Sequence, residues 1–477
     1  MKKILVVNEP YVKDFCRTQR WAARSRGRVL RAPDWLAYAA AVLEEAGHTV
    51  VLRDLVAEDK SKDDLRLLAR AEQPDIVVLD CTTPSVYSDI ECARIVKEEC
   101  ACRVIMVGPH VSALPRETLR EAAGAVDIAC IGEYDYTVLD CVEHSAALDE
   151  VKGIAYYNGG TIVVTPPRPL IDDLDRLPFP AWHQLDLMRY FDGGKLYPYI
   201  DIIAGRGCPN RCIFCLWPQV MHGTRYRLRS PKNVVDEIER DIRLCPRVLH
   251  GGEFFFEDDT FTVDRQRASA ICDEILRRGL KITFSVNARV DTADRELFRK
   301  MKRAGCRELL VGFESGSQAM LDAMNKKVTV ERSREFMRLA REAGLEVHGC
   351  FVLGLPGETE SSAEETTEFA LTLGLTTVQF SGATPFPGTA FYDICSKEGW
   401  IKAKSWPEWL STGEQSGVVG YPQLSRERIN YYVDRGLKKF YFRPAYMLRF
   451  ILVNRSFSDV YRKFRGAWNF LSYLFRR

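Results

Sequence analysis

Gly205-Arg206-Gly207-Cys208-Pro209-Asn210-Arg211-Cys212-Ile213-Phe214-Cys215 decides how this chain is read. Three cysteines stand at C-x3-C-x2-C in a tight loop just after an apolar run, Tyr199-Ile200-Asp201-Ile202-Ile203-Ala204. Cubane iron–sulfur clusters usually take four thiolates, one per iron. A loop with three leaves one iron open to another ligand, and the chemistry is expected there. Gly205 and Gly207 let backbone approach a bulky group, and Pro209 stiffens the turn between the first two cysteines. Structural zinc needs four ligands, with a second pair at short spacing. No such pair follows, and His222 fits no common zinc spacing.

Outward from the loop, residues 198–385 read as a β/α series. Strands are predicted near Tyr199–Ala204, Glu253–Glu257, Lys281–Asn287, Arg307–Phe313, Glu346–Leu353 and Thr377–Ser381. Helical patterns lie between them at Pro231–Leu244, Val263–Arg278, Thr292–Ala304, Val330–Ala343 and Thr359–Leu373. Six such units bend toward a barrel or part-barrel, whose active site lies at the strand C-terminal ends. The cysteine loop follows the first strand and so sits at that mouth. Glu257-Asp258-Asp259, Asn287 with Arg289, Glu314-Ser315 and Gly354–Glu358 bring polar groups to the same face. Each alone reads equally as a cap or solvated turn, Asp259-Thr260 as a helix cap for example. Their convergence favours function.

Residues 1–150 alternate five short buried-strand patterns, Lys3–Asn8, Thr49–Asp54, Asp75–Asp80, Arg103–Gly108 and Asp127–Ile131, with amphipathic helices such as Trp35–Ala46. That pattern predicts an α/β, doubly wound parallel sheet, with ligands outside the strand carboxyl ends. Those ends carry Asn8-Glu9-Pro10, Cys81-Thr82-Thr83-Pro84-Ser85, Gly108-Pro109-His110 and Gly132-Glu133-Tyr134. They suit a large flat ligand and equally suit ordinary turns. No G-x-G-x-x-G follows the first strand, which disfavours a dinucleotide. Residues 151–197 read as a hairpin around Asn158-Gly159-Gly160 and a Pro-rich extended tether.

Residues 386–477 differ. From Arg435 to Arg477 there are 11 Lys or Arg, one acid (Asp459) and 12 aromatics. Such a stretch reads as a basic amphipathic helix at a membrane interface or as a helical cap with snorkelling cations. The net charge of +2 gives no pull toward nucleic acid, and none is expected as a partner. No apolar run reaches 18 residues, and Lys2-Lys3 precedes only Ile4-Leu5-Val6-Val7, so neither a spanning helix nor a secretory signal is expected. Fifteen cysteines form no disulfide framework; apart from the three in the loop they read as reduced thiols of a cytoplasmic protein, peripheral on the cytoplasmic membrane at most.

Cys208-x3-Cys212-x2-Cys215 resembles the signature of radical SAM (S-adenosylmethionine) enzymes, and the domain before it looks like the cobalamin (B12)-binding domain of one subgroup. Leu216-Trp217-Pro218-Gln219, Arg225-Tyr226-Arg227, Phe254–Thr262, Val311–Gly316 and Gly349–Thr359 look most like the hopanoid-biosynthesis-associated (HpnJ-like) members. The resemblance implies a doubly wound cobalamin domain, a (β/α)6 part-barrel and a helical C-terminal region. It implies a [4Fe–4S] cluster on Cys208, Cys212 and Cys215, with SAM on the open iron. By strand position, Asp258 or Asp259 would meet the SAM amino group and Asn287 and Glu314 the ribose. Arg289 would meet the carboxylate and Phe214 the adenine. Cobalamin would lie against Thr82, Thr83, Gly108, Pro109, His110, Gly132 and Glu133. The Asp-x-His-x-x-Gly cobalt-ligand motif is absent. An electron donor such as flavodoxin or ferredoxin is implied.

The expected reaction is reductive cleavage of SAM and remodelling of a lipid-linked, hopanoid-type sugar or polyol head group, such as ring contraction to a cyclitol ether. The alternatives are cobalamin-dependent methylation of an sp³ carbon, and a non-catalytic cobalamin or iron–sulfur sensor. The substrate would be lipid-like or isoprenoid.

Overall fold

The computed structural model describes residues 1–18, 22–413, 417–452 and 457–474. Its first sheet starts with β1 (Lys3–Asn8), β2 (Thr49–Asp54), β3 (Ile76–Asp80), β4 (Arg103–Val107) and β5 (Ile128–Cys130). All but the partly exposed edge strand β2 are short and buried on both faces, as parallel strands between helices must be. The hairpin β6 (Ile154–Asn158) and β7 (Thr161–Val164) adds antiparallel to β5. The order is β2-β1-β3-β4-β5-β6-β7, so the hairpin is the edge of this sheet rather than part of the connector. Strands are added outward on opposite sides of β1, to β2 on one side and to β3 on the other, so the switch point at which such sheets bind ligands lies between β1 and β3.

The second sheet is parallel throughout. It runs from β8 (Tyr199–Ile202), past a two-residue ribbon of β9 (Gly205–Arg206) and β10 (Arg227–Leu228), through β11 (Glu253–Phe256), β12 (Phe284–Ala288), β13 (Cys306–Glu314), β14 (Glu346–Leu353) and β15 (Thr377–Gly382). Strand order follows chain order, with β8 and β15 at opposite edges, which makes an open part-barrel. The helices between strands start at side-chain caps: Ser230, Asp264, Asp294, Thr329 and Thr359 each accept a backbone N–H of the first turn. Asp264, and not Asp259, caps the helix Arg265–Arg277. Phe313, Phe351 and Phe380 stack on the helix-facing side, at 5.8 and 5.2 Å between ring centres.

A segment of the first domain completes the open side. Leu30 pairs with Phe191, and the Tyr199 hydroxyl donates to the Leu30 carbonyl at 3.0 Å. Arg31 then reaches Glu257 at 2.8 Å. Among the described residues no helix is long and apolar enough to cross a membrane. The helix Phe457–Leu474 packs through Gly466 on Gly193, and Asn469 donates to the Gly27 carbonyl at 3.2 Å. Its other face leaves Phe464 68% and Trp468 71% exposed. One face of this helix thus caps the molecule, and the other is bare. Residues 453–456 and 475–477, including Phe475, lie outside the described residues.

Candidate functional site

The cysteine loop is the excursion between β9 and β10, whose residues pair Arg206 with Arg227 and Gly205 with Leu228. Gly207 has φ +95°, and a Cβ there would lie 2.2 Å from the Arg225 carbonyl oxygen, so only glycine closes this turn. Gln219 ties the loop from inside. Its amide nitrogen donates to the carbonyls of Cys215, Ile213 and Cys212 at 2.7, 3.2 and 3.3 Å.

Donors approach two of the three sulfurs: Asn210 Nδ2 is 3.5 Å from Cys208 Sγ and Arg289 Nη1 is 3.8 Å from Cys212 Sγ. Arg289 is itself held by Asp291, at 3.0 and 3.1 Å, and by the Lys326 carbonyl at 2.8 Å. Burial opposes its charge, but Asp291 and the neighbouring thiols keep its pKa above the ordinary value. Among the described residues no three His, Cys, Asp or Glu side chains converge on a single metal ion. Three thiols set around one loop, with cationic and amide donors beside them, fit a cluster that takes one thiolate per iron.

Asp258 and Asp259 do not turn toward the mouth. Asp258 is buried, accepting from Ala204 N at 2.6 Å and the Tyr226 hydroxyl at 2.8 Å, and burial raises its pKa. Asp259 Oδ2 accepts Gly207 N and lies 3.1 Å from His222 Nδ1. These carboxylates fasten the root of the cysteine loop, whereas Glu257 meets Arg31 inside the barrel. Asn287 donates to the Asp258 carbonyl at 3.1 Å. Glu314 ends β13 with φ +65°, unusual for a residue with a Cβ, and pairs with the buried Lys326 at 2.6 Å. Phe214 is buried in the loop. Of the expected SAM residues, Arg289 lies beside Cys212 and Phe214 within the loop, while Asn287 meets the Asp258 backbone and Glu314 meets Lys326. Lys326, Tyr226 and His222 are additions; no spacing rule marked them, because their partners are distant in the chain.

At the first domain, Gly108 (φ +106°) folds tightly against Asp80 and Cys81, while Gly132 (φ +77°) leaves room beside Met221. His110, next to Pro109, bonds Thr83 Oγ1 at 3.0 Å beneath Trp406. Burial lowers its pKa to about 3, so it is neutral. Thr82 Oγ1 is 2.7 Å from Ser85 Oγ. Glu133 is bound by Arg227 at 2.6 and 2.8 Å. Burial alone would raise its pKa, yet the guanidinium groups of Arg227 and Arg206 hold it below the usual value. The strand ends thus carry small side chains, and Gly132 leaves room at the edge, which suits a corrinoid there; Gly108 is already packed on Asp80 and Cys81. The Glu133 carboxylate serves the domain contact.

Residues 202–370 match the Radical SAM superfamily, and residues 32–142 match the B12 binding domain family. An uncharacterized methyltransferase of Pyrococcus horikoshii is 30% identical over 91% of this chain and 93% of its own length. An anaerobic magnesium-protoporphyrin IX monomethyl ester cyclase of Cereibacter sphaeroides is 33% identical over 76% of this chain and 60% of its own. A hopanoid C-3 methylase of Methylococcus capsulatus is 26% identical over 75% and 67%. The solved structure of the radical SAM methyltransferase TsrM from Kitasatospora setae, with cobalamin and a [4Fe–4S] cluster, superposes with TM-score 0.72 at 17% identity, covering 99% of this chain and 100% of that one. The chain belongs to the radical SAM superfamily, in the group with an N-terminal B12-binding domain. Membership makes it an enzyme whose cofactors are a [4Fe–4S] cluster, SAM and cobalamin.

Proposed function

We propose that this protein is a cobalamin-dependent radical SAM methyltransferase acting on an sp³ carbon. The carrying observation is a cysteine loop tied at once to the barrel, through Asp259, and to the B12-binding domain, through Arg227 and Glu133, in a chain that aligns almost end to end with an archaeal methyltransferase. The relatives favour methyl transfer over the head-group remodelling first expected from the sequence.

Cys208, Cys212 and Cys215 would hold the cluster; Thr82-Thr83, Gly108-Pro109-His110 and Gly132-Glu133 would line the corrinoid. When bound, these groups supply a 5′-deoxyadenosyl radical and a transferable methyl. The chain's own part is to place and neutralise. Arg289 offsets negative charge beside Cys212. Asn287, Glu314 with Lys326, and Phe214 surround the SAM position. Asp258 and Asp259 act through the loop they anchor.

The barrel lumen bears on the substrate. Side chains alternate along a strand, and the pairings put Asp201, Phe255, Ser285 and Glu308 in one layer and Asn287, Leu310 and His348 in the next. Burial pushes Asp201 up to about 7 and His348 down to about 4. Asp201, Ser285, Asn287 and His348 give this lumen hydrogen-bonding groups, which suit a hydroxyl-bearing substrate end. The bare aromatic face of the last helix suits a lipid surface. Together they support a hopanoid-type lipid with a polyol head as substrate, reached by peripheral membrane contact, with a flavodoxin or ferredoxin as electron source.

The test is product analysis with reconstituted enzyme, strong reductant and lipid extract. Methyl transfer yields S-adenosylhomocysteine, 5′-deoxyadenosine and a product heavier by one methyl. 5′-Deoxyadenosine with a rearranged, unmethylated product would replace this reading by head-group remodelling.

A further inference from the structure

The cysteine loop and the B12-binding domain meet through buried charges. Arg206 ends β9, two residues before Cys208, and is 1% exposed. Its side chain enters the first domain. Nη1 and Nη2 donate to Asp135 Oδ2 and Oδ1 at 2.7 and 3.0 Å. The guanidinium carbon lies 4.1 Å from the Trp35 ring centre, and Nη1 is 3.7 Å from Glu133. On the facing strand, Arg227 forks onto Glu133. Both strands of the ribbon that carries the cysteines are therefore pinned by acids of the other domain. The His222 ring stacks on Trp35 at 4.4 Å and lies tilted against Trp217 at 5.1 Å, with Nδ1 on Asp259, which also holds Gly207 N.

Two features make this contact more than adhesion. A fork-to-fork pair fixes direction as well as distance, and buried charges have no alternative partner in water, so the arrangement does not slide. The acids also sit where the chain leaves β5, Glu133 in the connection and Asp135 at the start of the helix Asp135–Glu143, a strand end that the proposed reading gives to the corrinoid. One short segment thus touches the root of the cysteine ribbon and, on that reading, would border the cobalamin cradle.

We infer that Arg206–Asp135 and Arg227–Glu133 are positioning pairs that set the separation and orientation of the cluster loop relative to cobalamin. The inference rests on the two-cofactor reading above. Neither pair touches a reacting atom.

The experiment uses the full chain, reconstituted anaerobically with iron, sulfide and hydroxocobalamin, as wild type, Asp135→Asn and Trp35→Leu. Pulsed EPR reads the dipolar interaction between the reduced cluster and cob(II)alamin. Chromatography reads S-adenosylhomocysteine and 5′-deoxyadenosine made from SAM with titanium(III) citrate. The expected result is unchanged iron and cobalt content, 5′-deoxyadenosine within about two-fold, and a shifted or broadened interspin distance. S-adenosylhomocysteine should fall by roughly 10- to 100-fold, because a misplacement of about 1 Å costs on the order of 100-fold. Wild-type distance and product ratio in both variants would overturn the inference. So would loss of cluster or corrinoid from both, which would make the pairs part of the sites themselves. A wild-type chain that takes up no cobalamin, or makes no S-adenosylhomocysteine, overturns the methyltransferase reading instead.

Discussion

Replacing Asp259 by alanine separates two roles that predict different losses. In the structure this carboxylate holds Gly207 N and His222 Nδ1, both at 3.1 Å. Hydrogen bonds to charged groups contribute about 1.5–3 kcal/mol each, so losing two removes roughly 3–6 kcal/mol of local stability. At about 2–4 °C per kcal/mol for a domain of this size, melting of the barrel should fall on the order of 10 °C. The loop root should loosen, and reconstituted protein should hold well under half the wild-type iron. Asp259→Asn keeps an acceptor oxygen and should recover most of the iron. If Asp259 instead bound the SAM amino group, as its strand position suggested, both variants would keep the cluster and lose SAM affinity. The assay is iron and sulfide content beside SAM binding by equilibrium dialysis. Full iron with weakened SAM in both variants would refute the anchoring argument.

Other outcomes follow from the same geometry. Cys212→Ala should abolish cluster absorbance and all SAM cleavage; normal iron and turnover would remove the thiol assignment. Asp201 is more basic folded than unfolded, so its stabilisation is full below about pH 4 and is lost as pH rises toward 7. Asp201→Asn should flatten that part of the stability–pH curve, a change of about 1.4 kcal/mol per unit, read as melting temperature against pH. Parallel curves for variant and wild type would show that this carboxyl is not the titrating group. Phe464→Ser with Trp468→Ser should cut binding to phosphatidylglycerol vesicles at least about ten-fold, since each buried aromatic contributes roughly 1.5–3 kcal/mol. Unchanged partition would assign the helix to capping alone.

Most of the scaffold was legible in the sequence because hydrophobic period and caps are local. Thr49–Asp54, Pro231–Leu244 and Glu346–Leu353 have the predicted ends. The hairpin strands were legible too, but not their place beside β5, since edge pairing depends on a strand some 25 residues earlier. The cysteine loop could be read from spacing. The direction in which Asp258 and Asp259 point could not, because it is decided by Tyr226, His222 and the backbone of residues 204–207, which meet them only in three dimensions. Arg206 stands between two glycines, where no local pattern marks it. Its role is written in Asp135 and Trp35, in another domain.

The strip at Leu30 and Arg31 that lies beside Phe191 and Tyr199 has a consequence for taking the molecule apart. A part-barrel with six strands has a missing side, and here that side is on loan from the N-terminal domain, with Leu30 seated on Phe191 and Arg31 reaching Glu257. Residues 198–385 cut out as a minimal enzyme would open onto solvent beside Tyr199. A chimaera that exchanged the first domain would exchange the wall of the reaction chamber with it. Swapping cofactor modules in this architecture therefore means carrying the strip across the junction, or rebuilding the chamber around its absence.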